Sequence, residues 1–163
     1  MGDMSTPKCT DLMMLLHQAS YALETELTAK LAEIGLTPRG RCVLSSAVDA
    51  GRTQTELADL SNMDKTTMVV TMDALEKAGL AERRLSPTDR RARVIEVTQA
   101  GREMLAKADQ VVAQVYDEVL GELPEDERDG LLKALTRLVD GRFAELTPCE
   151  KPPRRRALRH AVG

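Results

Sequence analysis

Five arginines, Arg83, Arg84, Arg90, Arg91 and Arg93, fall within eleven residues of a 163-residue chain. The polar run Ser86-Pro87-Thr88-Asp89 sits among them, and the nearby acids are Glu82, Asp89 and Glu96. Guanidinium groups at this density suit phosphate oxygens, and an arginine at a turn suits the narrow, negative minor groove of duplex DNA. The alternative is an ordinary solvated hairpin rich in arginine. A second set of residues lies upstream. Thr53, Gln54, Thr55, Asp64, Lys65, Thr66 and Thr67 offer donors and acceptors, and Val69-Val70 offers methyl groups. Base edges, phosphates and thymine methyls in a major groove are the partners such groups fit. Catalysis is a poor fit. There is no Gly-rich phosphate loop, no G-x-S-x-G and no H-E-x-x-H, and the chain has two histidines, His17 and His160.

Both sets are placed by local signals. Thr53 with Glu56 three residues on is a capping-box start, followed by Leu57, Ala58 and Leu60 as apolar positions. Ser61-Asn62-Met63 interrupts that helix, and Asp64 caps the next, which ends at Gly79 with Lys77 in its last turn. On a helical wheel Met68, Met72 and Leu75 form one narrow arc with Thr71 at its edge. Thr66, Val70 and Asp73 lie opposite, with Val69 on the flank nearest them. A helix facing only water has no need of valine there, although single exposed apolar residues are common. The arms Leu80–Leu85 and Ala92–Val97 around the polar tip read as a β-hairpin. Helix, tight turn, helix, hairpin is the order of a winged helix-turn-helix.

The run L-E-K-A-G-L-A-E-R-R-L-S-P-T-D-R-R-A-R-V-I-E-V-T-Q-A-G resembles the MarR (multiple-antibiotic-resistance regulator) family of winged-helix transcription factors, and the likeness extends over about residues 12–146. Its most specific part is the D-x-R of Asp89–Arg91, followed by a hydrophobic arm and V-T-x-x-G. The resemblance implies that Arg91 enters a minor groove and that Asp89 helps to hold it. Many members resemble T-R where this chain has Val69-Val70, so an arginine contact there does not carry over. Some members sense oxidants through a cysteine in the first helix; Met13 stands at that position, with Cys9 about a turn earlier.

Composition sets wider limits. Hydrophobic residues make up 42% and charged residues 30%, which suits a globular chain able to bury a core. Aromatics are 2% with no Trp, which disfavours the stacking platforms of single-strand binders. The net charge of −3 requires any DNA contact to be a local basic surface, and Asp117, Glu118, Glu122, Glu125, Asp126 and Glu127 lie well away from the arginines. No apolar run approaches a membrane span and no signal pattern opens the chain, so a cytoplasmic protein is expected. Cys9, Cys42 and Cys149 are odd in number with no C-x-x-C spacing, so neither a disulfide framework nor a metal site is expected, and no cofactor.

Residues 1–10 read as a flexible leader. From Asp11 a long amphipathic helix carries Leu12, Leu16, Ala19, Leu23, Leu27, Leu31 and Ile34 to about Glu33, stopped by Gly35. Thr37-Pro38 starts a second helix that runs towards Gly51. Thr98 caps a long helix over about Gln99–Leu120, and a final helix with Leu131, Leu132, Leu135, Leu138 and Val139 extends through Ala144. The stretch 147–163, with Lys151, Arg154, Arg155, Arg156 and Arg159, reads as a basic disordered tail that can add phosphate attraction. The expectation is therefore one mainly α domain over 11–146 with a small β-wing. Residues 37–97 form the winged helix-turn-helix lobe, and 11–36 with 98–146 supply dimerisation helices. Three long helices carry more apolar face than the lobe can cover, and the resemblance points to a homodimer that buries it.

The function expected is a sequence-specific regulator on a pseudo-palindromic double-stranded operator, most simply a repressor released by a small aromatic or phenolic effector. Met13, Met14, His17, Tyr21, Arg39 and Cys42 are the candidate effector residues, where the first two helices meet the winged lobe. Two other readings stay open: a thiol-based redox regulator, and a winged-helix protein–protein adaptor without DNA binding.

Overall fold

Each helix among the described residues begins where a capping residue or a proline stands, and most end at a glycine or an arginine-held carbonyl. The computed structural model describes residues 11–49, 51–89, 91–145, 147, 148 and 150. The leader at 1–10, Cys9, Arg90, Cys149 and nearly all of the 147–163 tail lie outside these. Among the described residues the order is α1 (Leu12–Ala32), α2 (Pro38–Ala47), α3 (Gln54–Leu60), α4 (Lys65–Lys77), β1 (Ala81–Leu85), β2 (Arg93–Val97), α5 (Gln99–Gly121) and α6 (Glu125–Asp140). The chain is mainly helical with one small antiparallel sheet.

The starts follow the sequence closely. Side chains of Asp11, Thr37, Thr53, Asp64 and Thr98 each accept a backbone N–H in the first turn of their helix. Gly35 and Gly79 take positive φ, which lets the chain leave α1 and α4 sharply. Two ends fall short of expectation. α2 stops at Ala47 rather than near Gly51, because arginines take its last carbonyls: Arg52 Nη1 donates to Ser46 O at 2.6 Å and Arg102 Nη2 to Val48 O at 3.0 Å. α6 stops at Asp140 rather than Ala144. Gly141 leaves the helical region (φ −108°, ψ −100°), and the Phe143 N–H turns back to Leu138 O at 2.8 Å.

α2 lies at the centre, touching α1, α3, α4, α5 and β2. Leu31, Val43, Leu44, Leu57, Met68, Met72 and Ile95 fill the space between them. The hairpin pairs Ala81 with Val97 through to Leu85 with Arg93, and a short third edge joins it where Ile95 N donates to Arg52 O at 2.9 Å. The root of the wing is tied to α5 by Thr98. Its N–H donates to Leu80 O (3.1 Å), its hydroxyl donates to Gly79 O (2.7 Å), and the hydroxyl oxygen accepts from Gly101 N (3.0 Å). Gly101 is buried directly against the Leu80 carbonyl, which is what the V-T-x-x-G spacing encodes.

α6 and the first half of α1 bury little among the described residues. α6 has no buried residue, and Leu131, Leu132 and Val139 are exposed, as are Tyr116 and Val119 on α5. On α1 the stripe from Leu12 to Ile34 is covered fully at Leu31, while Leu12 and Ala19 are exposed. Leu60, expected on the inner face of α3, points outward; Leu57 and Ala58 hold that face. Among the described residues no helix is long and apolar enough to cross a membrane.

Candidate nucleic-acid interface

α4 divides as the wheel requires. Met68, Thr71, Met72 and Leu75 are buried, whereas Val69 and Val70 are 42% and 64% exposed. Lys65 and Thr66 in the first turn are exposed as well. Val70 in particular gains little burial from the core, which leaves its methyl groups free for a partner.

Four of the expected contact residues are instead engaged in holding this surface. Thr53 and Glu56 form a reciprocal capping box, with Thr53 N donating to Glu56 Oε2 at 2.7 Å. The Thr53 backbone N–H and then its hydroxyl keep the Glu56 carboxyl below its ordinary range. Asp64 accepts the Thr67 hydroxyl (2.7 Å) and backbone N–H (2.9 Å), and these depress its pKa in that order. Both caps therefore contribute stability above the ordinary carboxylate range and lose it as pH falls through the depressed folded values. Gln54 accepts from Arg83 Nε at 3.0 Å. Thr55 is exposed.

The two faces of the wing treat their arginines differently. Ala81, Arg83 and Leu85 point inward opposite Val97, Ile95 and Arg93, and the row passes from buried at Ala81 to exposed at Leu85. Glu82 and Arg84 point outward. Glu82 faces Glu96 directly, and Arg84 relieves the repulsion by pairing with Glu82 (2.6 Å) and Glu96 (3.1 Å). Hydrogen bonding to Glu82, then its charge and that of Glu96, raises the Arg84 pKa. Arg84, expected to contact DNA, is thus paired within the wing while its side chain stays exposed. Arg83, counted from the sequence as part of the wing's exposed charge, turns inward onto α4. Its partners are Asp73, placed by the wheel on the outward side of α4, and Glu76, which no sequence signal marked.

Arg91 and Arg93 are exposed and make no ion pair among the described residues. The tip beneath Arg91 is stiffened locally. Ser86 Oγ accepts from Asp89 N (3.2 Å), and Asp89 Oδ1 accepts from Arg91 N (2.9 Å), so Asp89 holds the backbone of Arg91. Arg90 lies outside the described residues.

The candidate effector residues are not brought together inside one chain. Met13 is 74% exposed, and Met14, His17 and Tyr21 are exposed along the same half of α1, while Arg39 and Cys42 are half-buried on α2. Cys42 packs against the core as a free thiol. A cavity of about 270 Å³ does lie between α1 and α5, lined by Lys30, Glu33, Ile34, Val111, Gln114, Val115 and Glu118.

A capped helix-turn-helix with an outward apolar pair, flanked by an arginine hairpin, defines a winged helix-turn-helix protein of the DNA-binding class. The MarR family model matches residues 34–92. A structure of the transcriptional repressor CouR bound to a 23-mer DNA duplex is 34% identical, covering 79% of this chain and 92% of that one with a TM-score of 0.71. CouR from Rhodococcus jostii RHA1 bound to p-coumaroyl-CoA is 25% identical over 85% of this chain and 96% of that one, with a TM-score of 0.70. The proposed transcriptional regulatory protein for the hcr operon of Thauera aromatica is 34% identical over 92 residues, 56% of this chain and 55% of that protein. The match thus spans about half the length of that relative. The chain belongs to the MarR family of transcriptional regulators.

Proposed function

We propose that this protein is a homodimeric repressor that binds a pseudo-palindromic operator in double-stranded DNA and is released by a small-molecule effector. The observation that carries the reading is the outward face of α4, where Val69 and Val70 stand exposed beside Lys65 and Thr66. In a major groove the valines meet thymine methyls and the polar pair meets base edges or phosphates. The uncovered apolar faces of α1, α5 and α6 are what a second copy would bury. Two α4 helices then stand about 34–36 Å apart, one turn of DNA. An effector that favours another spacing lowers affinity by its preference for that state. Two similar structures named CouR supply precedents, one bound to a DNA duplex and the other, from Rhodococcus jostii RHA1, bound to p-coumaroyl-CoA.

Titrating the full-length protein against DNA upstream of its own gene, at several salt concentrations, tests the first part. We expect saturable binding to one site, much tighter than to unrelated duplex. Equal affinity for both duplexes would defeat the reading. Small aromatic acids and their thioesters, added to the same titration, are expected to raise the melting temperature and weaken the complex together.

Val70 also predicts the operator. A valine at this position favours an A·T-rich half-site with methyl packing near the centre of α4. Val70→Ala should cost about 1 kcal/mol per half-site through lost methyl contact. The loss should shrink on an operator carrying uracil in place of the contacted thymine. Equal losses on the two duplexes would show that Val70 does not read the base.

A further inference from the structure

Arg83 stands at the junction of three elements. From β1 its Nε donates to Gln54 Oε1 at the start of α3 (3.0 Å), its Nη2 to Asp73 Oδ1 (2.8 Å) and its Nη1 to Glu76 Oε2, both on α4. Its backbone N–H donates to the other Glu76 oxygen at 2.8 Å. Glu76 thus grips the residue through both side chain and main chain. The Arg83 side chain is 20% exposed. One arginine spends its donors on a carboxamide and two carboxylates, and none of these contacts is within its own strand.

The electrostatics of this cluster oppose DNA. One guanidinium facing Asp73 and Glu76 leaves a net charge of −1, and Asp73 lies one helical turn beyond Val70 on the outward side of α4. Carboxylates on a phosphate-facing surface cost affinity. Their presence is accounted for if they fix geometry.

We propose that Arg83 is a positioning residue. It locks the wing to α4, so that the α4 contact and the Arg91 contact reach the major and minor grooves in one fixed register, and it makes no phosphate contact of its own. The proposal rests on the DNA-binding reading above. Without the strut, β1 still pairs with β2, and Ile95 and Val97 still pack, so the wing survives but its angle to α4 is free to vary.

Two readings of Arg83 predict opposite results. A phosphate-binding arginine, when lost, weakens specific and nonspecific binding alike and lowers the salt slope by about one per site. A positioning arginine, when lost, weakens operator binding selectively. Glu76→Gln sharpens the contrast, because it removes a negative charge and on charge alone should tighten binding to any DNA.

The experiment measures full-length wild type, Arg83→Met and Glu76→Gln against an operator duplex selected from random-sequence DNA by the wild-type protein, and against unrelated duplex, across a salt series. We expect both variants to lose operator affinity about tenfold or more, the worth of one misregistered arginine contact, with nonspecific affinity and its salt slope retained. Glu76→Gln binding the operator as tightly as wild type, or more tightly, overturns the proposal. So does a parallel loss on both duplexes with a flattened slope in Arg83→Met. Should Arg83→Met fail to fold, the near-isosteric Glu76→Gln decides alone. Failure of wild type to enrich any duplex defeats the DNA-binding reading itself, and the role of Arg83 falls with it.

Discussion

Replacing Gly101 with alanine is expected to destabilise the protein by about 3 kcal/mol or more, the range of severe overpacking in a core that cannot yield. A Cβ at this position would stand 2.0 Å from Leu80 O, 2.9 Å from Leu80 C and 2.7 Å from Val97 Cγ1. A flexible side chain could swing aside, but the Leu80 carbonyl cannot. It is fixed as the acceptor of the Thr98 N–H, and Thr98 is in turn held by Gly79 O and by its own capping bond to Gly101. Relief would require α5 to lift from the root of the wing, breaking the cap that starts it. At roughly 2–4 °C per kcal/mol for a chain of this size, the melting temperature should fall by about 6–12 °C. Melts must be compared at one protein concentration. A shift within 2 °C would mean that α5 moves away at little cost.

Arg91→Ala is expected to leave that melting temperature unchanged and to weaken operator binding by about 1–3 kcal/mol per wing. The side chain is exposed and has no ion-pair partner among the described residues, so folding loses nothing with it. Binding loses a cation suited to a narrow minor groove, where the potential is most negative. The two arginines of β1 are already paired. Arg83 is turned onto α4 and Arg84 is spent on Glu82 and Glu96. Asp89→Ala should produce a smaller loss, since it frees the backbone of Arg91 without removing the charge. Unchanged operator affinity of Arg91→Ala at near-physiological salt would remove Arg91 from the interface.

The contrast among these arginines marks how far the sequence could be read. Caps are local, so Thr53 with Glu56, Asp64, Thr37-Pro38 and Thr98 announced their helices from neighbours three residues away. The split of α4 into a methionine face and a valine face was legible for the same reason, because helical period alone decides it. Arg83 and Arg84 are adjacent and chemically identical, yet alternation in β1 sends one to α4 and the other across the wing. Which arginine met which acid depended on how the sheet packs onto α4. The effector residues lay beyond such local signals. Met13, Met14 and Tyr21 are exposed on the first half of α1 and Arg39 and Cys42 are half-buried on α2, so their grouping is not a matter of helical period within one element. The wrongly assigned Leu60 shows that a seven-residue helix is too short for its stripe to be read from spacing.

α5 is fastened to the winged lobe from its first turn to its middle. Thr98 and Gly101 hold its first turn to Leu80, Arg102 reaches Val48, and Asp109 pairs with Arg41 at 2.7 Å. At 23 residues and about 1.5 Å per residue the helix is roughly 35 Å long, and the stretch beyond Asp109 extends roughly 18 Å from the clamp. A push of about 3 Å at that free end corresponds to a turn of about 10° at the clamp. That free stretch is the part of α5 that faces the end of α1 across the cavity lined by Ile34, Val111 and Val115.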